Sequence, residues 1–242
     1  MKKPKLEGPW LLSIDSSTGT LAVGLSSGPK TVAQVTVDHG RTHATVIMDA
    51  IGMVLELGRI EPAVLDGLVA GRGPGSFTGL RIGLATVKAM ALALSRPVVA
   101  VSSLAGLAWP AAVEGLEVWA VIDAGRQQVY CCRYRPAGDG IEPLCPEQVL
   151  YPRQLVARTS NKSLLVGSGA VKYRDYFRKE LGDRAVFASG PLNSIQPVAL
   201  ACLGWRKWSR QGPVEGDEIA PVYLRRPDAE LPREAMTPAA GG

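Results

Sequence analysis

The stretch Gly71-Arg-Gly-Pro-Gly-Ser-Phe-Thr-Gly-Leu-Arg-Ile-Gly83 decides how the rest of the chain is read. The apolar run before it, Leu65 to Ala70, reads as a buried strand. The alanine-rich run after it, Leu80 to Leu94, has the length of a helix. A strand, a glycine loop and a helix in that order leave free backbone N–H groups at a helix start, ready for an anion or a partner's backbone. Pro74 stiffens the loop, and Ser76 or Thr78 caps the helix. The loop is not a Walker A sequence, because no Gly-Lys-Ser/Thr follows. It is not a dinucleotide fingerprint, because counting from Gly73 and Gly75 the third glycine position holds Thr78. On this string alone a structural turn and a ligand loop are both open.

Toward the N-terminus, Leu11 to Asp15 is a strand ending on a carboxylate, Ser16 to Gly19 a turn, and Thr20 to Ser26 the returning strand. Val32 to Val37 is a third strand. From Thr42 to Leu57 apolar residues recur with helical period, and Gly58 is a stop. Toward the C-terminus, Pro97 to Ser103 is a strand and Leu104 to Ala112 a short helix. A second start follows. Val118 to Asp123 again ends a strand on a carboxylate, and Val129 to Tyr134 returns. Ile141 to Leu150 reads as a broken strand and Pro152 to Arg158 as a short helix. Leu164 to Gly167 is a strand, and Lys172 to Leu181 and Ser194 to Arg210 are helices. Two hairpins headed by Ile14-Asp15 and Ile122-Asp123 imply an α/β fold made by duplication, with two mixed sheets and flanking helices. The break falls near Trp109 to Leu116. The expected units are residues 1–110, residues 111–225 and a proline-rich mobile tail over 226–242.

The chain has 242 residues, 46% apolar and 20% charged, enough for a full core and too apolar for wholesale disorder. The net charge of +5 is uneven: residues 1–121 carry 10 basic and 9 acidic side chains, the remainder 17 and 13. No dense basic stripe with interleaved aromatics marks a dedicated nucleic-acid binder. No apolar run of membrane-spanning length is read, and MKKPKLEGPW is a poor signal peptide. Cys131 and Cys132 point to opposite faces of a strand, and no CxxC occurs. All four cysteines read as reduced thiols of a cytoplasmic protein.

Duplicated halves with an aspartate at each first-strand end are the pattern of the actin, sugar-kinase and heat-shock ATPase superfamily, where two halves clasp ATP. Asp15, Ser16 and Ser17, with Gly73, Gly75 and Ser76 of the glycine loop, are the candidate nucleotide-binding residues. The second turn, Asp123 to Gln128, suits a phosphate less, since Arg126 and Gln127 are bulky. Asp15 and Ser16 closing a hairpin by side-chain-to-backbone bonds is the plainer reading. His39 and His43 have His-x-x-x-His spacing, but Gly40 and the strand-to-helix junction lie between them, so they do not share a helix face. No catalytic nucleophile with an evident base is present. In the helix after the loop, Gly79, Gly83, Val87 and Ala91 form one small-residue stripe and Ala85, Ala89 and Ala93 another. Such stripes let a second backbone approach closely. Together with Ile47, Ile51 and Val54 of the preceding helix, Gly79, Gly83, Val87 and Ala89 are the expected interface with a related subunit.

At Leu12-Ser-Ile-Asp-Ser-Ser-Thr18, His43, Gly71 to Ala85, Val101-Ser-Ser-Leu104, Asp123-Ala-Gly-Arg126 and Pro221-Val-Tyr-Leu-Arg225 the chain resembles the bacterial TsaB (YeaZ) family, over residues 10–225. The resemblance implies a duplicated actin-like (ASKHA, ribonuclease-H-like) fold. It implies a non-catalytic role in threonylcarbamoylation of the adenosine beside the anticodon, in tRNAs reading codons that begin with adenine. The implied partners are the catalytic TsaD-like subunit and the small TsaE-like ATPase, with a homodimer when the partner is absent, contact with tRNA through the complex, and no membrane. No cofactor of its own is implied beyond weak nucleotide binding. In TsaD-like sequences the strand after the glycine-loop helix leads into a metal-binding His-x-x-x-His. Here Ser103 and Leu107 stand in those places, so no metal site is implied. The two alternative functions are a stand-alone actin-like kinase or ATPase and a metallopeptidase.

Overall fold

The computed structural model describes residues 8–38 and 43–224. Its first sheet contains β1 (Trp10–Asp15), β2 (Leu21–Ser27), β3 (Lys30–Val37), β4 (Gly67–Gly71) and β5 (Val98–Val101), in the order β3-β2-β1-β4-β5. β1 is antiparallel to β2 and β2 to β3, while β4 is parallel to both β1 and β5. The second sheet contains β6 (Glu117–Gly125), β7 (Gln128–Ala137), β8 (Gly140–Pro143), β9 (Gln148–Leu150), β10 (Ser163–Val166) and β11 (Ala185–Phe187). It runs β11-β10-β6-β7-β8, with β9 also on β7. β6 is antiparallel to β7 and parallel to β10, which is parallel to β11. The two sheets thus repeat one topology, the duplicated actin-like arrangement. Only the third strand differs. The broken run Ile141 to Leu150 becomes β8 and β9, which pair with opposite ends of the long strand β7.

The helices are α1 (Ile47–Gly58), α2 (Phe77–Leu94), α3 (Ser103–Ala108), α4 (Pro152–Ala157), α5 (Ser168–Lys172), α6 (Arg174–Leu181) and α7 (Pro197–Gln211). α1 starts later than the periodicity predicts, after a one-turn 3₁₀ segment His43–Thr45. Thr42, His39 and the tail over 226–242 lie outside the described residues. The single helix expected over Lys172 to Leu181 is two, meeting at Tyr173. β11, three residues long, is too short to show alternation and is not legible in the sequence.

Alternation along β1 explains the layering. Trp10, Leu12 and Ile14 face α1 and α2, while Leu11 faces the centre of the molecule with Leu104, Leu107 and Leu200 of α3 and α7. α7 packs on the first sheet and α3 on β6 and β7, so each half lends its last helix to the space between the sheets. Beyond the second sheet, Trp119, Val121 and Cys131 pack against Leu155, Phe177 and Leu181 of α4 and α6. Cys131 lies in this outer layer and Cys132 in the central one, as adjacent strand residues must.

Candidate functional site

Between the end of β4 and the start of α2 the glycine loop lies directly on the turn that follows β1. Ser76 N donates to Ser17 O at 2.7 Å, and Ser16 Oγ donates to Gly79 O at 2.8 Å. Ser76 caps α2, its Oγ accepting from Gly79 N at 3.3 Å. The reason for the glycines is close approach. A Cβ at Gly75 would stand 2.2 Å from Ser17 O, one at Gly79 2.0 Å from Ser16 O, and one at Gly83 2.3 Å from Ser16 Oγ. Glycines four apart leave one side of the loop and first helical turns as bare backbone, and the β1 turn occupies it.

Asp15, only 1% exposed, is the centre of this contact. Its Oδ1 accepts from Ser17 N at 2.7 Å and its Oδ2 from Ser103 Oγ at 2.6 Å. Ser103 Oγ in turn accepts from Gly73 N at 3.1 Å. His43 Nε2–H donates to Thr18 O at 2.7 Å, tying the same turn to the approach to α1. Asp15, Ser16, Ser17, Gly73, Gly75 and Ser76 are therefore brought together, as an actin-like cleft requires. They are pressed on one another, however. The bare backbone at Gly75 and Gly79 lies against the carbonyls of Ser17 and Ser16.

Burial pushes the Asp15 carboxyl above the ordinary 3.8, and the bonds from Ser103 and Ser17 only oppose it. A carboxyl raised in the folded state favours folding most when both states are protonated. That advantage fades as pH climbs from below 3.8 through the raised folded value. Asp15→Asn, which keeps an acceptor for Ser17 N without the charge, is expected to gain stability relative to the parent as pH rises. Thermal midpoints of both proteins from pH 4 to 8 measure it. A difference that is flat or shrinks with pH would reject the sign.

The second turn is closed from within. Asp123 Oδ1 accepts from Gly125 N at 3.2 Å, and Oδ2 pairs with Lys172 Nζ at 2.8 Å. Arg126 and Gln127 take the turn with φ of 48° and 58°. The fold brings Cys145 to Cys132, whose Sγ–H donates to Cys145 O at 3.1 Å. Cys145 Sγ accepts from Arg133 N at 3.2 Å. Twelve residues, most of them in β7 and β8, lie between these cysteines, and no local pattern signals their meeting.

The expected interface residues divide. Ile47, Ile51, Val54 and Val87 are buried in the core beneath the first sheet, and Gly79 and Gly83 face Ser16. These six are corrected to internal packing. Ala89 alone is exposed, and it belongs to an outward stripe with Ala85, Leu92 and Ala93. Leu92 is 84% exposed, and on α1 Met48, Met53 and Leu57 are 59%, 55% and 68% exposed. α2 also meets, by length and composition, the requirement for crossing a membrane: 18 residues with mean hydropathy 1.4. Its inner stripe is packed on β1 and β4, and its outer stripe supplies the rest of the apolarity.

The comparisons with known proteins fit this geometry. The family model described as "TsaD: tRNA N6-adenosine threonylcarbamoyltransferase" matches residues 35–201. The Bacillus subtilis (strain 168) "tRNA threonylcarbamoyladenosine biosynthesis protein TsaB" is 30% identical over 224 residues, covering 91% of this chain and 96% of that protein. The solved structure "YeaZ from Pseudomonas aeruginosa" superposes with a TM-score of 0.78 at 30% identity, covering 89% of this chain and all of that one. The ethanolamine utilization protein EutJ from Carboxydothermus hydrogenoformans shares the fold alone, with a TM-score of 0.54 at 11% identity over 82% of this chain and 91% of its own. With the duplicated sheets, the glycine loop seated on the β1 turn and identity that runs nearly end to end, the chain belongs to the TsaB (YeaZ) family.

Proposed function

We propose that this chain serves tRNA threonylcarbamoyladenosine biosynthesis as a non-catalytic subunit. In this reading it binds a TsaD-like catalytic subunit through the outward face of α1 and α2. The observation that carries the reading is the stripe Ala85, Ala89, Leu92 and Ala93, flanked on the same side of the sheet by Met48, Met53 and Leu57. Large apolar side chains more than half exposed on two helices sharing one sheet face mark an interaction surface. Small side chains between them admit a partner helix at close range. The match to the TsaD family model points to a partner of the same architecture, which offers equivalent helices in a pseudo-twofold pairing. A second copy of this chain takes the face when that partner is absent, and a TsaE-like ATPase completes the assembly in the cytoplasm. Residues 1–110 are then the partner-binding half.

The close seating of the glycine loop on the β1 turn favours the non-catalytic reading. Asp15 bonds Ser103 and Ser17 rather than an open site, which disfavours a stand-alone ATPase or kinase. Leu107, where a TsaD-like subunit carries a metal ligand, is 1% exposed in the central core. Among the described residues no three His, Cys, Asp or Glu side chains gather as a metal site, which disfavours a metallopeptidase. The test is reconstitution with the TsaD-like and TsaE-like proteins of the same cell. Threonylcarbamoylation of tRNA is expected from the mixture and none from this chain alone. Turnover by this chain alone, or no complex with the TsaD-like subunit, would overturn the proposal.

A further inference from the structure

On the face of the first sheet opposite α1 and α2, the C-terminal turns of α7 meet the ends of β4 and β5. They enclose a groove of about 260 Å³. Four cations line it, Arg72, Arg206, Lys207 and Arg210, and its lining includes no carboxylate. Arg206 is already matched by Asp139, which it holds below the usual carboxylate range, with Arg210 contributing more weakly. Glu147 reaches Ser102 Oγ at the groove's edge.

The other cations are poorly balanced. Lys207 is half-buried with its Nζ donating to Ala100 O at 2.9 Å. Burial first, and the neighbouring Arg72 charge second, push its ammonium below the usual lysine range. Arg72 Nε is buried without a hydrogen-bond partner. Like charges held together in a part-dry groove repel, and a bound anion offsets that repulsion. Guanidinium and ammonium donors converging from a loop and a helix suit phosphoryl oxygens. The groove is smaller than the ~300–1,000 Å³ of sites that enclose drug-sized ligands, so it takes a phosphoryl group rather than a whole nucleotide.

We propose that this groove binds a phosphoryl group, free as inorganic phosphate or pyrophosphate or carried on an RNA backbone, with Arg72, Lys207 and Arg210 as its donors. The site lies across the sheet from the proposed subunit face and stands or falls separately from it.

The experiment compares the full chain with a Lys207→Gln/Arg210→Gln double variant, and with Arg81→Gln on the opposite face as control. One arm measures thermal midpoints in phosphate, pyrophosphate and chloride at matched ionic strength. The other measures binding of a tRNA transcript across a salt series. If the source is free phosphate, phosphate or pyrophosphate raises the parent's midpoint above the chloride value and the double variant loses the rise. If it is an RNA backbone, the transcript binds the double variant about tenfold more weakly, and the salt slope falls by roughly 1.4–1.8 for two lost contacts. Arg81→Gln behaves as the parent in both arms. Should the double variant fail to fold, Arg210→Gln alone carries the test, since that side chain is exposed. No anion-specific rise and no RNA binding, or equal effects in parent and variant, would overturn the proposal.

Discussion

Ala89→Arg with Leu92→Glu is expected to weaken association with the TsaD-like subunit by about 100-fold or more while leaving the thermal midpoint within about 2 °C of the parent. Both side chains point outward from α2, and Leu92 is 84% exposed. Covering a leucine contributes about 1.5–3 kcal/mol. A charged side chain forced into the same contact without a partner costs about 1–3 kcal/mol more. Each decade of affinity is ~1.4 kcal/mol, so two such sites reach 100-fold with allowance for non-additivity. The helix itself tolerates the change, because arginine and glutamate are good helix formers. Val171→Glu, exposed on α5 of the other half, serves as the control and is expected to leave association unchanged. Calorimetric titration or analytical ultracentrifugation reads the result. Unchanged affinity in the double variant would move the interface off α2.

Gly79→Ala is expected to be strongly destabilising for a single added methyl. Its Cβ would meet the Ser16 carbonyl oxygen at 2.0 Å, a backbone atom that cannot swing away. Overpacking at sites able to relax costs about 1–3 kcal/mol. Here the start of α2 must lift from the β1 turn, stretching the Ser16 Oγ to Gly79 O and Ser76 N to Ser17 O bonds. A loss of about 3 kcal/mol or more lowers the midpoint by roughly 6–12 °C for a chain of this size. Gly52→Ala is the matched control. Gly52 lies on the exposed side of α1, and a Cβ there meets nothing within 4 Å. That variant is expected to gain about 0.5–1 kcal/mol from helix propensity. Thermal denaturation followed by circular dichroism separates the two. A Gly79→Ala midpoint within about 1 °C of the parent would mean that loop and turn are not in contact in solution.

Much of the architecture was legible because it rests on local patterns. Strands ending on Asp15 and Asp123, the return strands after them and the apolar run before Gly71 repeat in one order. Such repetition reports duplication without any tertiary information. The opposed faces of Cys131 and Cys132 follow from strand geometry alone. The short strand Ala185–Phe187 and the break at Tyr173 escaped, being shorter than the period that would reveal them. The meeting of Cys145 with Cys132 escaped because it depends on how β8 folds back on β7, which leaves no periodic trace.

What the sequence by itself determined is the family, the duplicated α/β fold and the two helices with surplus apolar surface. Each follows from residue type and spacing along one stretch of chain. What only the tertiary structure decided is which side of each helix is covered. A stripe of small residues reads the same whether it lies on the chain's own backbone or on a partner's. Gly79 and Gly83 are small because the Ser16 turn lies against them, and Ala85 and Ala89, two residues further round the same helix, face outward. The glycine loop likewise reads as a cradle or a clasp until Gly73 N and Ser76 N are seen donating to Ser103 Oγ and Ser17 O. Long-range contact alone fixes whether those N–H groups are open or taken.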